Sequence, residues 1–148
     1  MSKIEVLVIE DDPADRIWLV SALRGIGLDC SYSAVSDGEQ ALDFLLKRGK
    51  CSEAPTPDLI FLDLHLPKLD GIEILRLVPN AHELPICILA SSDADRVLFR
   101  KEFGITDSNY LIKPVSHRSL LESSCLHSRL SGTISEGHST RGYAIKGP

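Results

Sequence analysis

The chain has 148 residues, 43% of them hydrophobic and 25% charged, which suits one ordinary globular domain able to bury a sizeable core. Its net charge of −5 argues against a general affinity for nucleic acid or for an anionic membrane surface. No apolar run approaches the roughly 18 residues of a membrane span, and the opening MSKIEVLVIEDD lacks the n-region and cleavage site of a signal peptide. Cys30, Cys51, Cys87 and Cys125 show neither CxxC pairing nor histidines at metal spacing, so a reduced, cytoplasmic protein is expected.

The apolar run at 5–9 (EVLVI) predicts a first strand, and Asp12-Pro13 then opens a helix to about Gly25. Ile17, Leu19, Val20 and Leu23 lie on the apolar side of that helix. The more polar 30–35 (CSYSAV) predicts a strand at or near a sheet edge. Ser36-Asp37-Gly38-Glu39 reads as a capped start to a second helix, with Ala41, Leu42, Leu45 and Leu46 facing inward. Residues 49–58, with two prolines, read as a loop before a third strand at 59–62 (LIFL).

Asp70-Gly71 opens a third helix that Pro79 should end early. A fourth strand is predicted at 86–90 (ICILA), a fourth helix over about 93–103, a fifth strand at 109–112 (NYLI) and a fifth helix over about 116–130. The first, third and fourth runs are almost continuously apolar, as strands covered on both faces must be. Strands alternating with helices predict a parallel sheet, doubly wound by right-handed crossovers. Residues 131–148 are rich in Gly, Ser and polar residues without apolar periodicity and are expected to form a flexible tail to a domain spanning 1–130.

Ligands of an open parallel sheet bind beyond the carboxyl ends of its strands. Here those ends carry Glu10-Asp11-Asp12, Asp63, Ser91-Ser92 and Lys113-Pro114. Crowded carboxylates either raise a pKa or recruit a hard cation, and an oxygen-only donor set favours Mg²⁺ or Mn²⁺. A carboxylate beside such a cation and a lysine can attack a phosphoryl donor to give an acyl phosphate. Taken singly, each feature has a plainer reading: an acidic pair after a strand caps a helix, and Lys-Pro makes a turn. Only the joint placement argues for chemistry.

VLVIEDDPADR, DLIFLDLHLPKLDG and YLIKP resemble, in order and spacing, the three signatures of response-regulator receiver domains. The resemblance covers about 3–130 and implies the flavodoxin-like receiver fold with strand order 2-1-3-4-5. Carried over by position, it makes Asp63 the phosphoacceptor. Glu10, Asp11, Asp63 and the backbone carbonyl of His65 become the metal ligands, and Lys113 the phosphoryl-binding lysine before a cis Pro114. Tyr110 matches the switch aromatic. Ala90 stands where the family places a Thr or Ser, with Ser91 the nearest substitute hydroxyl. Either Ser91 substitutes, or this departure is expected to blunt the switch of Tyr110 on phosphorylation without preventing the phosphorylation itself.

The resemblance further implies a single-domain regulator that takes its phosphoryl group from a histidine kinase and signals by binding a downstream protein. EDDPAD and LPKLDG are most like the regulators that partner phytochrome-type kinases. No enzymatic activity is implied beyond Mg²⁺-dependent self-phosphorylation and dephosphorylation. The alternative is a degenerate receiver used as a phosphate-independent docking or dimerisation module. Leu120, Leu121, Cys125 and Leu126 read first as core of the fifth helix and second as a surface on which a homodimer could form. An aspartyl-phosphate phosphatase fits less well, because it wants DxD on the first strand, and Glu10-Asp11-Asp12 would repel the phosphate of a flavin mononucleotide.

Overall fold

The computed structural model describes residues 3–124 and 126. Five parallel strands, β1 (Ile4–Ile9), β2 (Cys30–Val35), β3 (Leu59–Asp63), β4 (Ile86–Ala90) and β5 (Tyr110–Ile112), form one sheet in the order β2-β1-β3-β4-β5. Helices α1 (Pro13–Gly25), α2 (Gly38–Leu46), α3 (Gly71–Leu77), α4 (Arg96–Phe103) and α5 (His117–Glu122) connect or follow the strands.

The alternation of strand side chains divides the core into two layers. Leu7, Ile9, Ile60, Leu62 and Ile88 pack against Leu42 and Phe44 of α2, Ile74 of α3 and Phe99 of α4. Val6, Val8, Phe61, Cys87 and Leu89 face the other way, onto Leu19 and Leu23 of α1 and Leu120 of α5. Every residue of β3 and β4 is buried, which explains their unbroken apolar runs.

Caps fix the helix starts that border the strand ends. Asp12 accepts from the Ala14 backbone N–H, with Pro13 in the first turn, and Asp37 accepts from Gln40. Asp70 with Glu73, and Ser116 with Ser119, form reciprocal capping boxes. α3 ends at Leu77, and Val78 is extended because Pro79 follows it.

Several boundaries depart from expectation. β3 continues through Asp63, which pairs with Leu89 across the ladder. α4 begins at Arg96, not at 93, since the Ser92 hydroxyl accepts from the Ala94 N–H and Asp93 pairs with Arg96. Residues Asp107–Asn109 form a 3₁₀ turn, so β5 starts at Tyr110. The fifth helix, expected over about 116–130, runs from His117 to Glu122, where the extended backbone of Ser123 breaks it; residues 125 and 127–130 lie outside the described residues, as does the tail at 131–148. No helix among the described residues is long and apolar enough to cross a membrane.

Candidate functional site

The carboxyl ends of β1, β3 and β5 bring an acidic cluster and a lysine together. One carboxylate oxygen each from Glu10, Asp11 and Asp63 lies within 4.8 Å of the others. Glu10 and Asp63 are buried, at 1% and 3% exposure, while Asp11 is open to solvent. Glu10 is held from both ends. Its N–H donates to the Val35 carbonyl, its carbonyl accepts from Arg16, and its carboxylate accepts from the Asp12 N–H.

Lys113 enters from β5, its N–H donating to the Ala90 carbonyl at 2.8 Å, and the peptide bond to Pro114 is cis. Its Nζ lies 3.1 Å from Glu10 Oε1, 3.1 Å from Asp15 Oδ2 and 3.4 Å from Asp63 Oδ1. Burial disfavours the Lys113 ammonium, but the hydrogen bond to Glu10, the charge of Asp63 and the hydrogen bond to Asp15 outweigh it and raise its pKa. Burial, then the hydrogen bond with Asp63, pushes the Glu10 carboxyl up to about 7. Three carboxylates against one ammonium leave a negative excess of oxygen donors, and that donor set fits a hard divalent cation.

The segment after Asp63 is pinned to the start of α2. The Gly38 N–H donates to the Pro67 carbonyl at 3.1 Å, and Lys68, with φ at +70°, reaches toward Asp37 and Glu39. The His65 N–H donates to Asp63 Oδ1 at 3.3 Å, and the residue is exposed.

Ala90 is the last residue of β4 and is buried, whereas Ser91 and Ser92 lie beyond the strand and are exposed. Tyr110 is inward. It is 3% exposed, its hydroxyl donates to the Ser92 carbonyl at 2.8 Å, and its ring centroid lies 6.0 Å from that of Phe99. Arg96 lays its guanidinium 4.6 Å from the centre of the Tyr110 ring.

Sequence reasoning missed Asp15. It was hidden as one more acid in the first turn of α1, and only the fold brings it to a lysine 98 residues away.

The sequence profile of the response regulator receiver domain matches residues 6–124, and the chain belongs to this family of two-component signalling proteins. It is 33% identical over 119 residues to the probable methanogenesis regulatory protein FilR2 of Methanothrix harundinacea, covering 78% of this chain and 75% of that protein. Among solved structures it is similar to the bacteriophytochrome response regulator AtBRR, with TM-score 0.72 and 28% identity over 86% of this chain and 94% of that one. It is also similar to the Mn²⁺-bound form of response regulator Rcp1, with TM-score 0.64 and 29% identity over 89% and 92% of the two chains. Other curated relatives are longer, and the matched segment spans 46% of their length.

Proposed function

We propose that the chain is a receiver that takes a phosphoryl group onto Asp63 from a phosphohistidine of a histidine kinase and transmits its state by binding a protein partner. The observation that carries this reading is the buried Asp63 carboxylate, 3.4 Å from the Lys113 ammonium and grouped with Glu10 and Asp11. An Asp63 oxygen would attack phosphorus as the bond to the kinase imidazole breaks, the imidazole keeping the electron pair. Lys113 keeps its protons throughout and offers them as hydrogen bonds to the phosphoryl oxygens.

Glu10, Asp11, Asp63 and the backbone carbonyl of His65 are the groups that would hold Mg²⁺ or Mn²⁺. A cation bound there supplies charge neutralisation for the crowded carboxylates and the incoming phosphoryl group. The likeness to AtBRR supports a kinase of the phytochrome type as the donor. Acetyl phosphate with Mg²⁺ is expected to add one phosphoryl group by intact mass, and Asp63→Asn to abolish it. Equal labelling of that variant would remove Asp63 from the reaction.

A second reading draws on Tyr110. Ala90 ends β4 without a hydroxyl that could couple a phosphoryl group on Asp63 to the Tyr110 ring, which favours a receiver whose output face is available regardless of phosphorylation. Partner binding that is equally tight for Asp63→Asn and for the phosphorylated protein would support that docking-module reading.

A further inference from the structure

A lysine ammonium has three protons to donate. Lys113 gives one hydrogen bond to Glu10 Oε1 and one to Asp15 Oδ2, both at 3.1 Å, leaving its longer approach of 3.4 Å for Asp63 Oδ1. Glu10 and Asp63 sit at strand ends and belong to the acidic cluster. Asp15 does not: it lies in the first turn of α1, its side chain is 40% exposed, and it takes no part in capping the helix, which Asp12 does.

One turn further along the same face of α1, the Trp18 indole N–H donates to the Val115 carbonyl at 2.8 Å. Helix α1 therefore grips the 113–115 segment at two points, once through the lysine side chain and once through the backbone.

From this geometry we propose that Asp15 is a positioning residue that tethers the Lys113 ammonium to α1 and must be displaced from it when Asp63 is phosphorylated. The proposal rests on the reading of Asp63 as phosphoacceptor. As the bond from an Asp63 oxygen to phosphorus forms and the bond from phosphorus to the leaving group breaks, negative oxygens come within reach of Lys113. The proton now directed at Asp15 is the one that a phosphoryl oxygen can claim without disturbing Glu10. Asp15 thus competes with the phosphoryl group for the lysine and slows its arrival, acting as a brake set by an ion pair outside the acidic cluster.

The test uses the full chain with acetyl phosphate and Mg²⁺, where acetate leaves with the electron pair. Asp15→Asn, which keeps the shape and removes the charge, is expected to accelerate phosphorylation about two- to tenfold, the range for coupling between partly exposed charges. The same substitution in a Lys113→Ala background is expected to change nothing. A general field effect of Asp15 on the anionic donor would persist without the lysine, so acceleration in both backgrounds overturns the tether, as does an unchanged or slower rate for Asp15→Asn alone.

A second readout needs no phosphorylation. Hydrogen exchange of the Lys113 ammonium, followed by NMR, is expected to quicken severalfold in Asp15→Asn, and an unchanged exchange rate overturns the tether. A wild-type chain that takes no phosphoryl group, yet shows this quickening, would sink the phosphoacceptor reading and leave the tether standing.

Discussion

The Tyr110 hydroxyl donates to the Ser92 carbonyl, and this bond holds the ring on the sheet face that also carries Ala90. In the β4–β5 ladder Ile88 pairs with Tyr110 and Ala90 with Ile112, so Ala90 and Tyr110 belong to one face and one apolar cluster. A small residue at the strand end leaves the ring its space. Ala90→Thr adds two heavy atoms there, and overpacking of a filled site costs about 1–3 kcal/mol. The variant is therefore expected to shift Tyr110 outward in the unphosphorylated protein, read from its ring resonances. Beryllofluoride should draw it back, since a hydroxyl bonded to a charged acceptor contributes about 1.5–3 kcal/mol. A ring that stays buried in Ala90→Thr without beryllofluoride would show that Ala90 is not what admits it.

Two glycines at helix ends should respond to alanine very differently. A Cβ on Gly38 would lie 2.1 Å from the Leu69 carbonyl oxygen and 2.4 Å from Leu69 Cβ, atoms fixed by the loop that follows Asp63. Gly38→Ala is expected to destabilise the protein by about 3 kcal/mol, the upper range of overpacking, and to disturb the amides of residues 65–69. A Cβ on Gly25 would meet only the ring of His117, 2.7 Å from Nε2, at the end of a side chain that can rotate away. Gly25→Ala should stay within about 1 kcal/mol of wild type, because alanine's helix preference offsets the adjustment. Urea denaturation of both variants checks the contrast, and equal losses would contradict it.

The parts of this molecule that follow local rules could be read from its sequence. Runs such as LIFL and ICIL are strands because helices cover both their faces, and Asp12, Asp37, Asp70 and Ser116 announce helix starts by capping chemistry. Local pattern failed where side chains compete with the backbone, as at Ser92 and Asp93 before α4. Asp63 ends β3 through its pairing with Leu89, which no apolar periodicity reports. The inward Tyr110 and the Asp15–Lys113 pair depend on contacts between elements far apart in sequence, so composition and spacing carry no signal for either.

Glu10 gives the metal-free protein a defined response to pH. Its carboxyl has an ordinary value of 4.5 and is pushed up to about 7 in the folded chain, first by burial and then by the hydrogen bond with Asp63. Between these values the folded state keeps a proton that the unfolded state has released, so stability falls as pH rises. The favourable contribution is complete below the unfolded value and is lost as pH climbs through the folded one. The shift corresponds to about 3 kcal/mol.

In EDTA, wild type is therefore expected to lose stability relative to Glu10→Gln between about pH 5 and about pH 8, because the variant has no proton to release at this position. Mg²⁺ should reverse the trend, since a cation held by deprotonated carboxylates binds more tightly as the proton leaves and stabilises only the folded state. Its stabilisation of wild type should grow with pH over the same interval and be weak in Glu10→Gln. Urea titrations of both proteins, with EDTA and with Mg²⁺, measure all four curves. If the difference between the two proteins in EDTA is flat, Glu10 is ionised throughout and the Lys113 ammonium fully compensates its burial.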